Sequence, residues 1–167
     1  CRNLAMMRQV SGTTVSIRHT SGLRDHMSEL IATFNTLKES WSSLTDVIQR
    51  LESVEVRMTD FLDQIYGRPT DEQLQRAASG EKVRAVTTHA NRTEAIWKRL
   101  NKERNITGRP AMTNMVSAWE AYNAIQGYVQ HDAQAKEGFK GEFDRILRAS
   151  KSADVRAAEK LALELAA

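Results

Sequence analysis

The spacing of apolar residues changes after the first twenty positions and divides the chain into a β-like and a helical part. Residues 4–10 and 13–19 are short apolar runs separated by a Ser-Gly pair, and Val15 and Ile17 alternate with polar neighbours. A period of two predicts strands, and a glycine between the runs favours a turn or bulge. Two short strands are not stable alone, so they either complete a sheet begun upstream or pack on helices.

From residue 21 the apolar positions recur at alternating steps of three and four, which is the a/d pattern of a coiled-coil seam. This spacing predicts a helix over residues 21–54, and a similar spacing predicts a second helix over 81–104. We expect the two helices to form an antiparallel hairpin, and an intermolecular coiled coil is the alternative. The seam of the first helix consists of Leu23, Met27, Leu30, Phe34, Leu37, Trp41, Leu44, Ile48 and Leu51.

Capping signals predict the shorter helices between the two long ones. A helix over 59–66 ends at Gly67, because glycine readily adopts the left-handed conformation that closes a helix. Thr70 and Gln73 have the spacing of a capping box, in which each side chain accepts from the other's backbone amide, so another helix begins there.

The C-terminal third contains a helix over about 114–131, which we call the aromatic helix. We expect Thr113 or Asn114 to cap it, after a Gly/Pro loop at 107–110. Two further helices are predicted at about 141–150 and 153–166, with Ser152 as the cap of the last.

The predicted fold is therefore mainly α, with a long antiparallel helix pair, shorter helices and a small N-terminal β element that can belong to a larger α+β domain. Residues 1–167 form a single domain or the C-terminal fragment of a larger one. Its parts are the β element at 1–20, the helical hairpin region at 21–104, and the aromatic helix with the C-terminal helices at 105–167.

Charge alternates in blocks along a chain whose formal net charge is +3. Residues 1–24 carry four bases and no acid, residues 25–67 carry eight acids and three bases, and residues 81–109 carry eight bases and three acids. These blocks either neutralise one another, acidic helix against basic helix, or present a basic surface to nucleic acid.

Trp119, Tyr122 and Asn123 share one face of the aromatic helix, because side chains three and four apart are neighbours. This face either packs in the core or forms a platform on which single-stranded bases stack while arginines hold phosphates. We expect Trp119 to be buried, Tyr122 to be partly exposed, and Asn123 to bond backbone near 105–110 or 13–19. The candidate nucleic-acid-binding residues are Arg18, His19, Arg99, Lys102, Arg109 and Tyr122.

Signals for catalysis are missing from the sequence. There is no phosphate-binding Gly-rich loop and no Cys-x-x-Cys pair, and the four histidines lack a metal-ligand spacing. We therefore expect a protein without enzyme activity, catalytic residues, metal or cofactor, and we infer no small-molecule substrate. The single cysteine suits a reducing cytoplasm, and no apolar run approaches the roughly 20 residues that span a bilayer.

Three segments in order resemble a known family. They are Cys1-Arg2-Asn3-Leu4, Ile17-Arg18-His19-Thr20, and the stretch 107–132 with its Trp-x-x-Tyr-Asn-Ala core and later Tyr and His. The arrangement resembles the phage/plasmid-like family known only as a domain of unknown function, over essentially all 167 residues. The resemblance implies a further N-terminal half upstream and a phage, prophage or plasmid protein in the cytoplasm of a bacterial host.

Nucleic-acid binding is the leading functional hypothesis, with single-stranded DNA binding or annealing in recombination or replication as its most specific form. It rests on a sequence pI near 9.2, two basic segments and the aromatic helix. The alternative is a helical protein–protein interaction or homo-oligomerisation module of a phage protein with no nucleic-acid role.

Overall fold

A computed structural model describes residues 27–109, 114–133 and 149–167, and in these ranges the chain is mainly α, as predicted. The predicted N-terminal β element and most of the helix predicted at 141–150 lie outside the described residues. In chain order the elements are helix α1 (Met27–Ser53), strand β1 (Glu55–Arg57), helices α2 (Met58–Tyr66), α3 (Asp71–Ala78) and α4 (Arg84–Thr107), strand β2 (Met115–Ser117), helix α5 (Ala118–Gly127) with a following π-helical turn (Tyr128–Asp132), and helix α6 (Ala153–Leu165).

The local capping signals are confirmed. Helix α2 ends at Gly67 as predicted, but with a φ of 74° and a ψ of 131° the glycine is not in the left-handed helical conformation. Thr70 and Gln73 form both hydrogen bonds of a capping box at the start of α3. The Ser152 hydroxyl accepts from the backbone amide of Val155 and caps α6. These bonds satisfy amides that have no partner within the first helical turn.

Helix α5 is the centre of the core. Eight of its ten residues are buried, and it packs against α1, α4 and α6. Small residues at Ala118, Ala121, Ala124 and Gly127 let neighbouring elements approach closely, since little side chain separates them from the backbone. The surrounding core includes Leu44, Leu51, Phe61, Leu62, Ile96, Leu100, Val155, Ala158 and Ala162.

Strands β1 and β2 form a two-stranded antiparallel sheet that the sequence did not predict. Val56 pairs with Val116, and both side chains face the core. Asn114 continues the ladder, because its carbonyl accepts from the amide of Met58 and its Oδ1 accepts from the amide of Thr59 at 3.2 Å. Asn114 therefore caps α2 and not the aromatic helix.

The aromatic helix starts later than predicted. Residues 115–117 are occupied by the sheet, so α5 begins at Ala118. Ser117 is the cap, and its hydroxyl and the Glu120 carboxylate each accept from the other's backbone amide. The capping box Ser-x-x-Glu was thus present in the sequence three residues after Asn114 and four after Thr113, the two predicted caps.

The arrangement of the two long helices differs from the antiparallel hairpin that we predicted. An antiparallel pair would place the C-terminal end of α1 beside the start of α4. Instead Glu52, in the last turn of α1, pairs with Arg109, two residues after the end of α4. Both helices pack on α5, which supplies the apolar surface that each needs, and Phe34, Leu37 and Trp41 of α1 are exposed.

The difference in burial between Ile125 and Ile106 predicts that replacing them by alanine has very different effects on stability. Ile125→Ala should lower the free energy of unfolding by about 2–5 kcal/mol, because it leaves a cavity at the centre of the core. Ile106→Ala, at an exposed site on α4, should change it by less than about 0.5 kcal/mol. Urea denaturation followed by circular dichroism measures both, and similar losses would show that α5 is not the centre of the core.

Candidate nucleic-acid interface

A groove of about 620 Å³ lies between the C-terminal half of α4 and helix α5. Arg99, Lys102 and Arg109, three of the residues predicted to bind nucleic acid, line it together with Trp119. The structure thus brings these residues to one place. Arg18 and His19 lie outside the described residues.

A buried carboxylate lies at one end of this groove. Glu120 is 8% exposed and receives Arg104 through two hydrogen bonds, from Nε to Oε1 at 2.9 Å and from Nη2 to Oε2 at 3.0 Å. Nη1 of Arg109 is 2.9 Å from Oε1 of the same carboxylate, and Nη2 of Arg109 is 3.1 Å from Glu52. The cluster therefore links α1, the end of α4 and the start of α5.

The electrostatics of Glu120 combine two opposing effects. Burial acts to raise its pKa, but hydrogen bonds from Arg104, the Ser117 amide and Arg109 together outweigh burial and hold the pKa below its ordinary value. Glu120 is therefore charged at neutral pH, which a buried carboxylate with two guanidinium partners requires.

Arg99 forms a second ion-paired group at the other end of the groove. Its Nε donates to Glu103 at 3.2 Å, and its Nη1 is 3.7 Å from Asp132 in the π-helical turn. Gly127 makes this possible, since a Cβ at that position would lie 2.8 Å from Nε of Arg99. The missing side chain at Gly127 thus admits the Arg99 side chain.

Ion pairing changes the role that the sequence predicted for Arg99 and Arg109. Arg99 and Arg109 each hold carboxylates, so less of their charge is available for phosphate than the sequence suggested. Lys102 is exposed and forms no ion pair within the part of the chain that the structure describes. Acidic partners distant in sequence, such as Glu52, could not be assigned from spacing alone.

The aromatic residues also differ from the expectation. Tyr122 is fully buried and not partly exposed, and burial, with a contribution from Glu159, raises the pKa of its hydroxyl. Trp119 is half-buried at the groove, with its ring centroid 6.1 Å from that of Tyr122. Asn123 donates to the Trp119 carbonyl within the same helix, not to a distant loop. A base could therefore reach Trp119 but not Tyr122.

The exposed face of α4 is a basic surface that our list of candidates largely omitted. Arg84, Asn91, Lys98 and Asn105 recur every seven residues, and they are exposed along roughly 30 Å of helix. Asn101 and Lys102 lie beside Lys98 on the same side. We call this set the α4 basic face; its seven-residue spacing was visible in the sequence.

Acidic residues are sparse on the α4 basic face. Glu94 is the one exposed carboxylate among the described residues of α4, and it pairs with Lys98 at 2.7 Å. Arg84 and Lys102 form no ion pair with any carboxylate in the part of the chain that the structure describes. Arg84 and Lys102 therefore keep their charges on this surface, whereas Arg99, Arg104 and Arg109 in the groove are ion-paired.

The described ranges contain neither a metal-ligand cluster nor a membrane-spanning helix. No group of three or more His, Cys, Asp or Glu side chains there could hold a metal ion. None of the helices in those ranges has the length and apolar content needed to cross a membrane.

Fold and site together define a helical domain with a small sheet, an ion-paired groove and a basic helix face. The chain belongs to the family described as Domain of unknown function (DUF932), whose family model matches residues 1–161. This match confirms membership of a family of unknown function, and its description names no phage, plasmid or activity. No curated protein and no solved structure matches the chain.

The buried carboxylate predicts acid-sensitive stability. Glu120→Gln keeps the capping acceptor but removes the charge, so we expect it to lower the free energy of unfolding at pH 7 by about 3 kcal/mol. Because the folded pKa lies below the ordinary 4.5, the carboxylate stabilises fully above that pH and loses its contribution as pH falls through the folded pKa.

The difference between Glu120→Gln and the unmodified protein should therefore shrink in denaturation curves measured at pH 3. The exposed pair partner Glu94 provides the control, and Glu94→Gln should have little effect at either pH. An equal loss for the two variants would contradict the role assigned to Glu120.

Close packing between Gly127 and Arg99 predicts that substitutions at these two positions have coupled effects on stability. Alanine is normally the better helix former by roughly 0.5–1 kcal/mol, yet Gly127→Ala should destabilise the protein because the new Cβ displaces Arg99. In an Arg99→Ala background the same change should become stabilising. A double-mutant cycle in urea measures this coupling, and additive effects would show that the contact is unimportant.

Proposed function

We propose that the protein binds nucleic acid, with single-stranded DNA as the leading candidate, through the α4 basic face. The observation that carries the proposal is the row of exposed cations and asparagines along α4, with little acid among them. Cations spaced along a straight helix can follow a phosphate backbone, which supplies most of the affinity in such complexes.

The asparagines give this face a second property. Asn91, Asn101 and Asn105 are exposed beside the cations, and an amide side chain can donate to and accept from a base edge. Single-stranded bases present those edges freely, whereas the bases of a duplex expose them only within the grooves. This difference supports single-stranded DNA as the first ligand to test.

The groove has a supporting role in this proposal. Trp119 is accessible there and Lys102 belongs to the same lining, so one base can stack on the indole ring while Lys102 contacts a phosphate. Arg104 and Arg109 are committed to Glu120, and they shape the groove instead of contacting phosphate. We further propose a role in replication or recombination of a phage or plasmid, which rests on the motif resemblance alone.

Salt dependence tests the proposal. Binding of labelled single-stranded and duplex oligonucleotides to the 167-residue chain would be measured by fluorescence anisotropy over a series of salt concentrations. The double variant Arg84→Ala/Lys102→Ala should weaken single-strand binding and reduce the slope of log affinity against log salt by about 1.4, because each lost phosphate contact contributes about 0.7.

A charge-matched control separates a specific face from general attraction. Lys151→Ala/Arg156→Ala removes two exposed cations at and just before α6 and should leave the slope unchanged. Equal effects of the two double variants would reject the α4 basic face. Absent or salt-independent binding would reject nucleic-acid binding itself and favour a protein–protein interaction module.

A further inference from the structure

The first half of α1 carries large apolar side chains that the described residues leave uncovered. Phe34 is 66% exposed and Trp41 is 62% exposed, and Ile31 and Leu37 are also exposed. From Leu44 onward the same helix is covered by the core around α5. A contiguous exposed patch of this kind is unusual on an isolated domain and marks an interaction surface.

The exposed residues continue the seam that is buried further along the helix. Phe34, Leu37 and Trp41 follow steps of three and four that lead into Leu44, so they occupy a and d positions of one register. Leu44 and Leu51 use that register to pack on the chain's own core. The second half of the seam is therefore buried against the chain's own core. The first half is exposed and has the spacing needed to pair with another helix.

The charges around the exposed half favour a second copy as its partner. Between residues 31 and 43 the charged residues are Lys38 and Glu39, one of each sign, and Thr, Ser and Asn fill most other polar positions. Such a helix has no net charge to repel an identical helix or to attract a polyanion. Its apolar stripe is matched in length and spacing by the same stripe of another chain.

We infer that the protein forms a homodimer in which the seam of Phe34, Leu37 and Trp41 packs against the same seam of a second copy. Pairing removes large aromatic and aliphatic surfaces from water, which drives association. The seam lies on α1, whereas the proposed nucleic-acid surface lies on α4, so this inference stands independently of nucleic-acid binding.

Sedimentation velocity of the 167-residue chain tests the inference. The unmodified protein should sediment with twice the mass of one chain, and dilution should shift it to the monomer. Leu37→Asp places a charge in the seam and should give a monomer at concentrations where the unmodified protein is a dimer. Because Leu37 is exposed in the single chain, the far-ultraviolet circular dichroism of this monomer should remain that of a folded helical protein.

Ser42→Asp is the matched control, since it adds the same charge to an exposed position on the same helix but outside the seam. This variant should remain a dimer. A monomer for the unmodified protein at every soluble concentration would overturn the inference. A dimer that survives Leu37→Asp would also overturn it, because the contact would then lie on another surface.

Discussion

The position of the Glu120 carboxylate determines how the helices meet. A charge removed from water must be paired, so burying Glu120 requires guanidinium groups to follow it into the interior. Arg104 brings the end of α4 to the start of α5, and Arg109 extends the link to Glu52 on α1. The end of the groove beside the start of α5 is a consequence of this pairing, and Arg104 and Arg109 are occupied for the same reason.

Features that depend on neighbours in sequence were predictable. Gly67, Ser152 and the Thr70–Gln73 box act within one helical turn, so their residue types and spacing carry the information. The helical class followed from apolar periodicity in the same way. The sheet could not be predicted in this way. Its strands have three residues each, too few to show an alternating pattern, and each strand pairs with a segment that is distant in the sequence.

The candidate site was likewise predictable in its residues that are close in sequence and not in its long-range contacts. The sequence indicated Arg99, Lys102 and Arg109 as candidate binding residues. It could not show which carboxylates lie near them, because Glu52, for example, is 57 residues from Arg109 in the chain. Tyr122 was misjudged because an aromatic residue at helical spacing suits a core and a binding platform equally. Conversely, the α4 basic face has a regular spacing, and only its exposure required the structure.

The small sheet has a consequence for the order of folding. Its ladder ends with Thr59 bonded to Asn114, residues 55 apart in the chain, so forming it closes a long loop at a large entropic cost. Three residue pairs release too little free energy to offset that cost alone. The sheet is therefore expected to form only once α4 has packed on α5 and shortened the loop, which makes this least extensive element a reporter of complete folding.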